Sequence, residues 1–154
     1  MVERILLLQS LAATPIQLAK ALEKKGDGWE ATPGEWSPEQ VLAHLIDVEV
    51  RYLGRLHRVS LEQDPRLALI QPDESAHDLQ AGRDGLLRRF EAARAETLDF
   101  VKELAPAVWQ RTAIHPTWGR VTFQTLVQNL IEHDRQHLIQ IIEYLASAPR
   151  REQQ

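Results

Sequence analysis

The sequence has no cysteine, one methionine and few aromatic residues, 6% of the chain. Without cysteine there can be no disulfide, no thiolate metal ligand and no thiol nucleophile belonging to the protein itself. Long unbroken apolar runs are missing too: Ile5-Leu6-Leu7-Leu8 is typical, far below the roughly 20 residues of a membrane helix, so no membrane span is expected. The same run is too short for a signal-peptide core and no small-residue cleavage site follows it, which makes the cytoplasm the expected address. Positive charge is not in excess either. A net charge of -4 and a pI near 5.9 provide no footprint for a phosphate backbone, and nucleic acid is not an expected partner.

What remains is an ordinary soluble composition, 44% hydrophobic and 26% charged over 154 residues, enough for one domain with a real core. Residues 1–148 are assigned to that domain and 149–154 to a polar tail. Apolar positions Ile5, Leu8, Leu11, Leu18 and Leu22 predict a first helix from Val2 to about Lys25, with a kink or fresh start near Pro15. Ile5 to Leu8 cover most of the helix circumference, so part of that turn is expected to meet a second subunit. Gly26-Asp27-Gly28 ends the helix. Ser37, Pro38 and Gln40 form a capping-box start for a second helix from Pro38 to about Val59. Ser60–Leu79 has two prolines and no periodicity, a connection long enough to join helices running in the same direction. A third helix spans about Gln80 to Leu104, with Leu86, Phe90, Ala93, Thr97 and Val101 inward. Trp109 to Arg120 reads as irregular, and a fourth helix capped by Thr122 reaches about Ser147. With no convincing strand, the pattern predicts an all-α four-helix bundle.

Three of the six histidines fall where apolar residues belong. His44 lies on the inward stripe of the second helix with Val41, Leu45, Val48, Tyr52 and Leu56. His133 and His137 share the inward stripe of the fourth with Leu126, Leu130 and Ile141, and at i,i+4 they stand one above the other. Three imidazoles facing a bundle centre suit a divalent first-row metal such as zinc, nickel, copper or iron, and three protein ligands leave coordination positions open, as catalytic sites do. Asp47, one turn after His44, is placed to orient a ligand ring. Trp36, Tyr52 and Trp118 are candidates for the pocket wall. Asp134 is turned about 100° from His133 and either faces away or bonds a neighbouring helix. Arg135 reads as surface, and His57, His77 and His115 as surface or loop residues, with His115 a possible pocket-mouth group.

The segment Trp36-Ser37-Pro38-Glu39-Gln40-Val41-Leu42-Ala43-His44-Leu45, followed about ninety residues later by His133-x-x-x-His137, resembles the DinB/YfiT-like metalloenzyme family. Ala13-Thr14-Pro15 and the Trp118-Gly119 turn are similar as well. The resemblance implies an up-down-down-up bundle with its long connection between helices two and three. It implies a divalent metal, zinc or nickel foremost with manganese or iron as alternatives, on His44, His133 and His137, and a homodimer. Relatives of this kind use low-molecular-weight thiols, so the resemblance implies a small-molecule substrate and a thiol S-transferase. A metal-dependent hydrolase and a non-catalytic helical stress or binding protein with a structural or vestigial metal site are the alternative readings.

Overall fold

The computed structural model describes residues 2–23, 33–71 and 79–147. Gly26-Asp27-Gly28, His77 and the polar tail lie outside the described residues. Four helices form: α1 (Val2–Glu23), α2 (Pro38–Leu61), α3 (Gly82–Lys102) and α4 (Phe123–Ser147). The start of α2 follows its local chemistry. The Ser37 side chain accepts from the Gln40 amide at 3.2 Å, and the Gln40 side chain accepts from the Ser37 amide at 2.8 Å, which satisfies two end donors reciprocally. Thr122 accepts from the Thr125 amide at 3.1 Å and opens α4 in the same manner.

The helix directions can be read from contacts at their ends. Gln124 donates to Glu3 at 3.1 Å, so α1 and α4 begin together, and Arg83 donates to the Leu22 carbonyl at 3.3 Å, so α3 begins where α1 ends. His57 near the end of α2 packs its ring against Phe100 near the end of α3, with centroids 3.9 Å apart. The order is therefore up-down-down-up, with α2 and α3 parallel and the long connection between them.

One expectation fails. Thr112–His115 (β1) and Gly119–Thr122 (β2) form an antiparallel hairpin between α3 and α4, closed at Gly119, whose φ of 73° favours glycine. The connection after α2 joins its edge: the Leu67 amide donates to the Ile114 carbonyl and the Ile114 amide to the Pro65 carbonyl, each at 2.9 Å. Strands of four residues are too short to show a hydrophobic period, and tertiary pairing creates them. His115 is accordingly a buried strand residue rather than a loop residue, its ring stacked on Trp118 with centroids 3.9 Å apart.

α1 runs through Pro15 without a break. By length and composition alone, residues Glu3–Glu23 also meet the requirement for crossing a membrane, because polar residues interrupt the apolar runs without offsetting them. In this bundle Leu11, Leu18 and Leu22 are buried in the core, whereas Ile5, Leu6 and Ile16 are exposed.

The core has two apolar clusters. One surrounds Leu11, Tyr52, Leu56, Trp109, Phe123 and Leu126, the other Leu18, Leu42, Leu45, Phe90 and Ile141. A polar layer separates them. Arg94 on α3 donates to Glu49 on α2 at 2.7 and 2.8 Å, to Asp134 on α4 at 2.7 Å, and to the Leu11 carbonyl on α1 at 2.9 Å. That carbonyl is free because Pro15, four residues later, has no N–H to donate to it. A single buried guanidinium thus ties all four helices together.

Candidate metal centre

His44 sits in the second turn of α2, whose position the capping box sets, and faces the middle of α4. His133 and His137 meet it there. The Nε2 atoms of His44 and His133 are 3.1 Å apart, as are those of His133 and His137, and all three residues offer a ligand atom within 4.8 Å of one another. Hydrogen bonding cannot satisfy this arrangement. A neutral imidazole nitrogen carries either one proton or one lone pair, so His133 Nε2 can make one good bond and not two. A cation among the three lone pairs removes the conflict. Metal–nitrogen bonds of about 2.0–2.1 Å in a tetrahedral set put the nitrogens about 3.3 Å apart, close to the separations found.

The electrostatics favour neutral His133 and His137 rings, as ligation requires. Burial, then the neighbouring His137, His44 and Arg94 charges, push His133 down to about 4. Burial also lowers His137, opposed in part by its hydrogen bond to Gln140. Gln140 Oε1 lies 2.8 Å from His137 Nδ1. On the opposite side Trp36 packs at a tilt against His44, with centroids 5.1 Å apart. Trp36 and Gln140 line a cavity of 590 Å³ bounded also by Gly34, Glu35, Glu143, Tyr144 and Ser147. The histidines themselves are not in its lining; a space of small-molecule size meets the cluster through Gln140 and Trp36.

Among the other candidates, Asp47 is one turn from His44, and both of its carboxylate oxygens accept from Arg51 at 3.1 Å. Tyr52 and Trp118 do not wall this cavity. Tyr52 is two turns further along α2 in the other core cluster, and Trp118 is exposed on the hairpin at the far end of the bundle. The sequence could not exclude them because an aromatic residue near a helix stripe fits either end. His57 is exposed with its ring against Phe100, and Arg135 is exposed as expected.

Asp134 does not face away. It is 2% exposed and accepts from Arg94 and, at 3.2 Å, from Thr14. Burial pushes its carboxyl up to about 6 against the pull of Arg94. Burial opposes the charge on Arg94, but Glu49 and Asp134 more than offset this and its pKa is raised. One guanidinium serves two carboxylates, so with both ionised the buried trio carries one surplus negative charge. Arg94 and Glu49 escaped the sequence reading, although Leu86, Phe90, Arg94, Thr97 and Val101 form a cleaner helical stripe than one through Ala93.

Fold and site together define a helical bundle with a three-histidine set suited to a divalent metal. The family model of the DinB superfamily matches residues 10–141, and the chain belongs to that superfamily. Among solved structures it is similar to YfiT from Bacillus subtilis, described as a probable metal-dependent hydrolase with an unusual four-helix bundle topology. The TM-score is 0.77 at 24% identity, covering 93% of this chain and 85% of that one. At that identity the likeness concerns the fold. No curated protein matches the chain.

Proposed function

We propose that the protein is a divalent-metal-dependent enzyme acting on a small molecule, with His44, His133 and His137 as the metal ligands. The observation that carries this reading is the convergence of the three Nε2 atoms, 3.1 Å from one to the next, with a cavity bordered by the Gln140 and Trp36 side chains that contact His137 and His44. A divalent ion held there supplies Lewis-acid polarisation and lowers the pKa of a coordinated water or thiol. The chain's own residues do the rest. Neutral histidines leave the ion's charge undiminished, Gln140 fixes the His137 ring, and the Trp36 face keeps water off His44. Asp47 is a candidate to orient His44 from α2.

Two chemistries fit the ligand set. Hydrolysis is favoured by the cavity lining, which among the described residues has two carboxylates, Glu35 and Glu143, and no basic side chain. Such a lining suits neutral or cationic substrates better than anionic thiols. The thiol S-transferase reading is supported by the family resemblance and by the absence of cysteine, which makes an external thiol necessary for that chemistry. Zinc or nickel is the first choice of ion, manganese or iron the next. A homodimer is supported by the exposed Ile5, Leu6 and Ile16 of α1 and Ile139 and Ile142 of the adjoining α4.

The test begins with elemental analysis of purified protein, where about one divalent ion per chain is expected. Zinc- and nickel-loaded protein is then assayed on a panel of esters and amides without thiol, and on electrophiles with bacillithiol, mycothiol or glutathione. Thiol-free turnover selects the hydrolase, and thiol consumption the transferase. Protein without stoichiometric metal, whose melting temperature ignores added ions, returns the non-catalytic reading.

A further inference from the structure

The three histidines are not supported alike. His137 Nδ1 lies 2.8 Å from an amide oxygen, Gln140 Oε1, whereas His133 Nδ1 is buried with no hydrogen-bond partner among the described residues. An amide oxygen only accepts, so His137 Nδ1 must carry the proton and His137 Nε2 must present a lone pair. That lone pair faces His133 Nε2 at 3.1 Å. His44 Nε2 is equally 3.1 Å from His133 Nε2, but a lone pair on His133 Nε2 accepting from His44 would face the His137 lone pair; an Nε2–H on His133 avoids that repulsion and donates to His137, which leaves His133 Nδ1 as an unprotonated nitrogen. The assignment is consistent with the surroundings, since a buried lone pair without a partner is cheaper than a buried N–H without one.

We propose that Gln140 is a positioning residue that sets the tautomers of the cluster. It holds His137 as the Nδ1–H form and, through the 3.1 Å contact, makes His133 an Nε2–H donor in the metal-free protein. His137 is thereby the preorganised ligand, with its lone pair already aimed at the cluster, and His133 is the one that must exchange its tautomer before it can ligate. Gln140 also lines the 590 Å³ cavity. Its side chain both lies within hydrogen-bond distance of His137 and borders the cavity, so it links whatever occupies the cavity to the ligand set.

The affinity consequence rests on the metal-site reading; the tautomer consequence does not. The test uses Gln140→Leu and Gln140→Glu, at a partly exposed position on α4 where neither change opens a core cavity. Long-range proton–nitrogen NMR of the metal-free protein should show His137 as Nδ1–H and His133 as Nε2–H. In Q140L the His137 assignment should be lost, and in Q140E, which keeps the acceptor, it should survive. By chelator competition the zinc Kd should weaken roughly 10- to 100-fold in Q140L and change less than about threefold in Q140E. His137 remaining Nδ1–H in Q140L overturns the proposal, as does an equal loss of zinc affinity in both variants. If the parent protein binds no zinc, the metal-site reading fails while the NMR result still decides the role of Gln140.

Discussion

Two polar clusters bridge α2 and α4 within about a turn and a half of each other, and they are built in opposite ways. The Glu49–Arg94–Asp134 cluster is almost completely excluded from water and brings a counter-charge for its two carboxylates, with Arg94 making bonds to three helices from a fourth and Asp134 Oδ1 left without a hydrogen-bond partner among the described residues. The His44–His133–His137 cluster brings three like groups together, is more open, and contains a contact pattern that protons alone cannot complete. Buried polar groups that satisfy one another hold a fold together, whereas groups that remain incomplete after folding point to something supplied from outside. Asp134 follows His133 directly in the chain, so the first cluster fixes the rotation of α4 that the second one needs.

The largest effect is expected from Arg94→Met, which strands two buried carboxylates and should cost about 3–5 kcal/mol in urea unfolding. A loss under about 1 kcal/mol would reduce the cluster to a bystander and dissolve the contrast with the histidines. Next is ion binding. Zinc at a hundredfold excess over Kd should stabilise the protein by about 2.7 kcal/mol, and His137→Ala should abolish that gain while changing the metal-free stability little. A zinc-induced melting shift that survives in His137→Ala would remove the ion from this cluster.

The two clusters should also titrate with opposite sign. His133 is pushed down to about 4 from an ordinary value of 6.5, so between those values the unfolded chain binds the proton first and native stability falls as pH falls. Asp134 is pushed up to about 6 from 3.8, so over that interval the native protein binds the proton first and stability rises as pH falls. In metal-free protein, the urea midpoint between pH 7 and 5 should therefore drop less in His133→Gln than in the parent, and more in Asp134→Asn. The same slope in all three would refute the opposition. The smallest effect belongs to the Asp47–Arg51 pair on the surface of α2: Asp47→Asn should cost about 0.3–0.5 kcal/mol, as i,i+4 pairs do. A tenfold loss of zinc affinity in the same variant would show that Asp47 reaches a cluster histidine.

The helices, the capped starts at Ser37 and Thr122 and the inward placement of His44, His133 and His137 are legible along the chain because each depends on spacing within one helix. The hairpin is not, since Thr112–His115 and Gly119–Thr122 owe their extended form to each other and to the strand edge at Arg66. Asp134 illustrates the same limit. Its angle from His133 is set by α4 alone, but whether that angle means solvent or core depends on where α1 and α3 pack.

By itself, then, the sequence determined four amphipathic helices, a connection long enough to make two of them parallel, and three imidazoles on core-facing stripes. Periodicity and capping are local, and local chemistry is sufficient for them. The tertiary structure alone decided that the imidazoles meet at 3.1 Å, that Gln140 supports only one of them, and that Arg94 spans the bundle to the carbonyl Pro15 leaves free. Those are distances between helices, and only packing sets them.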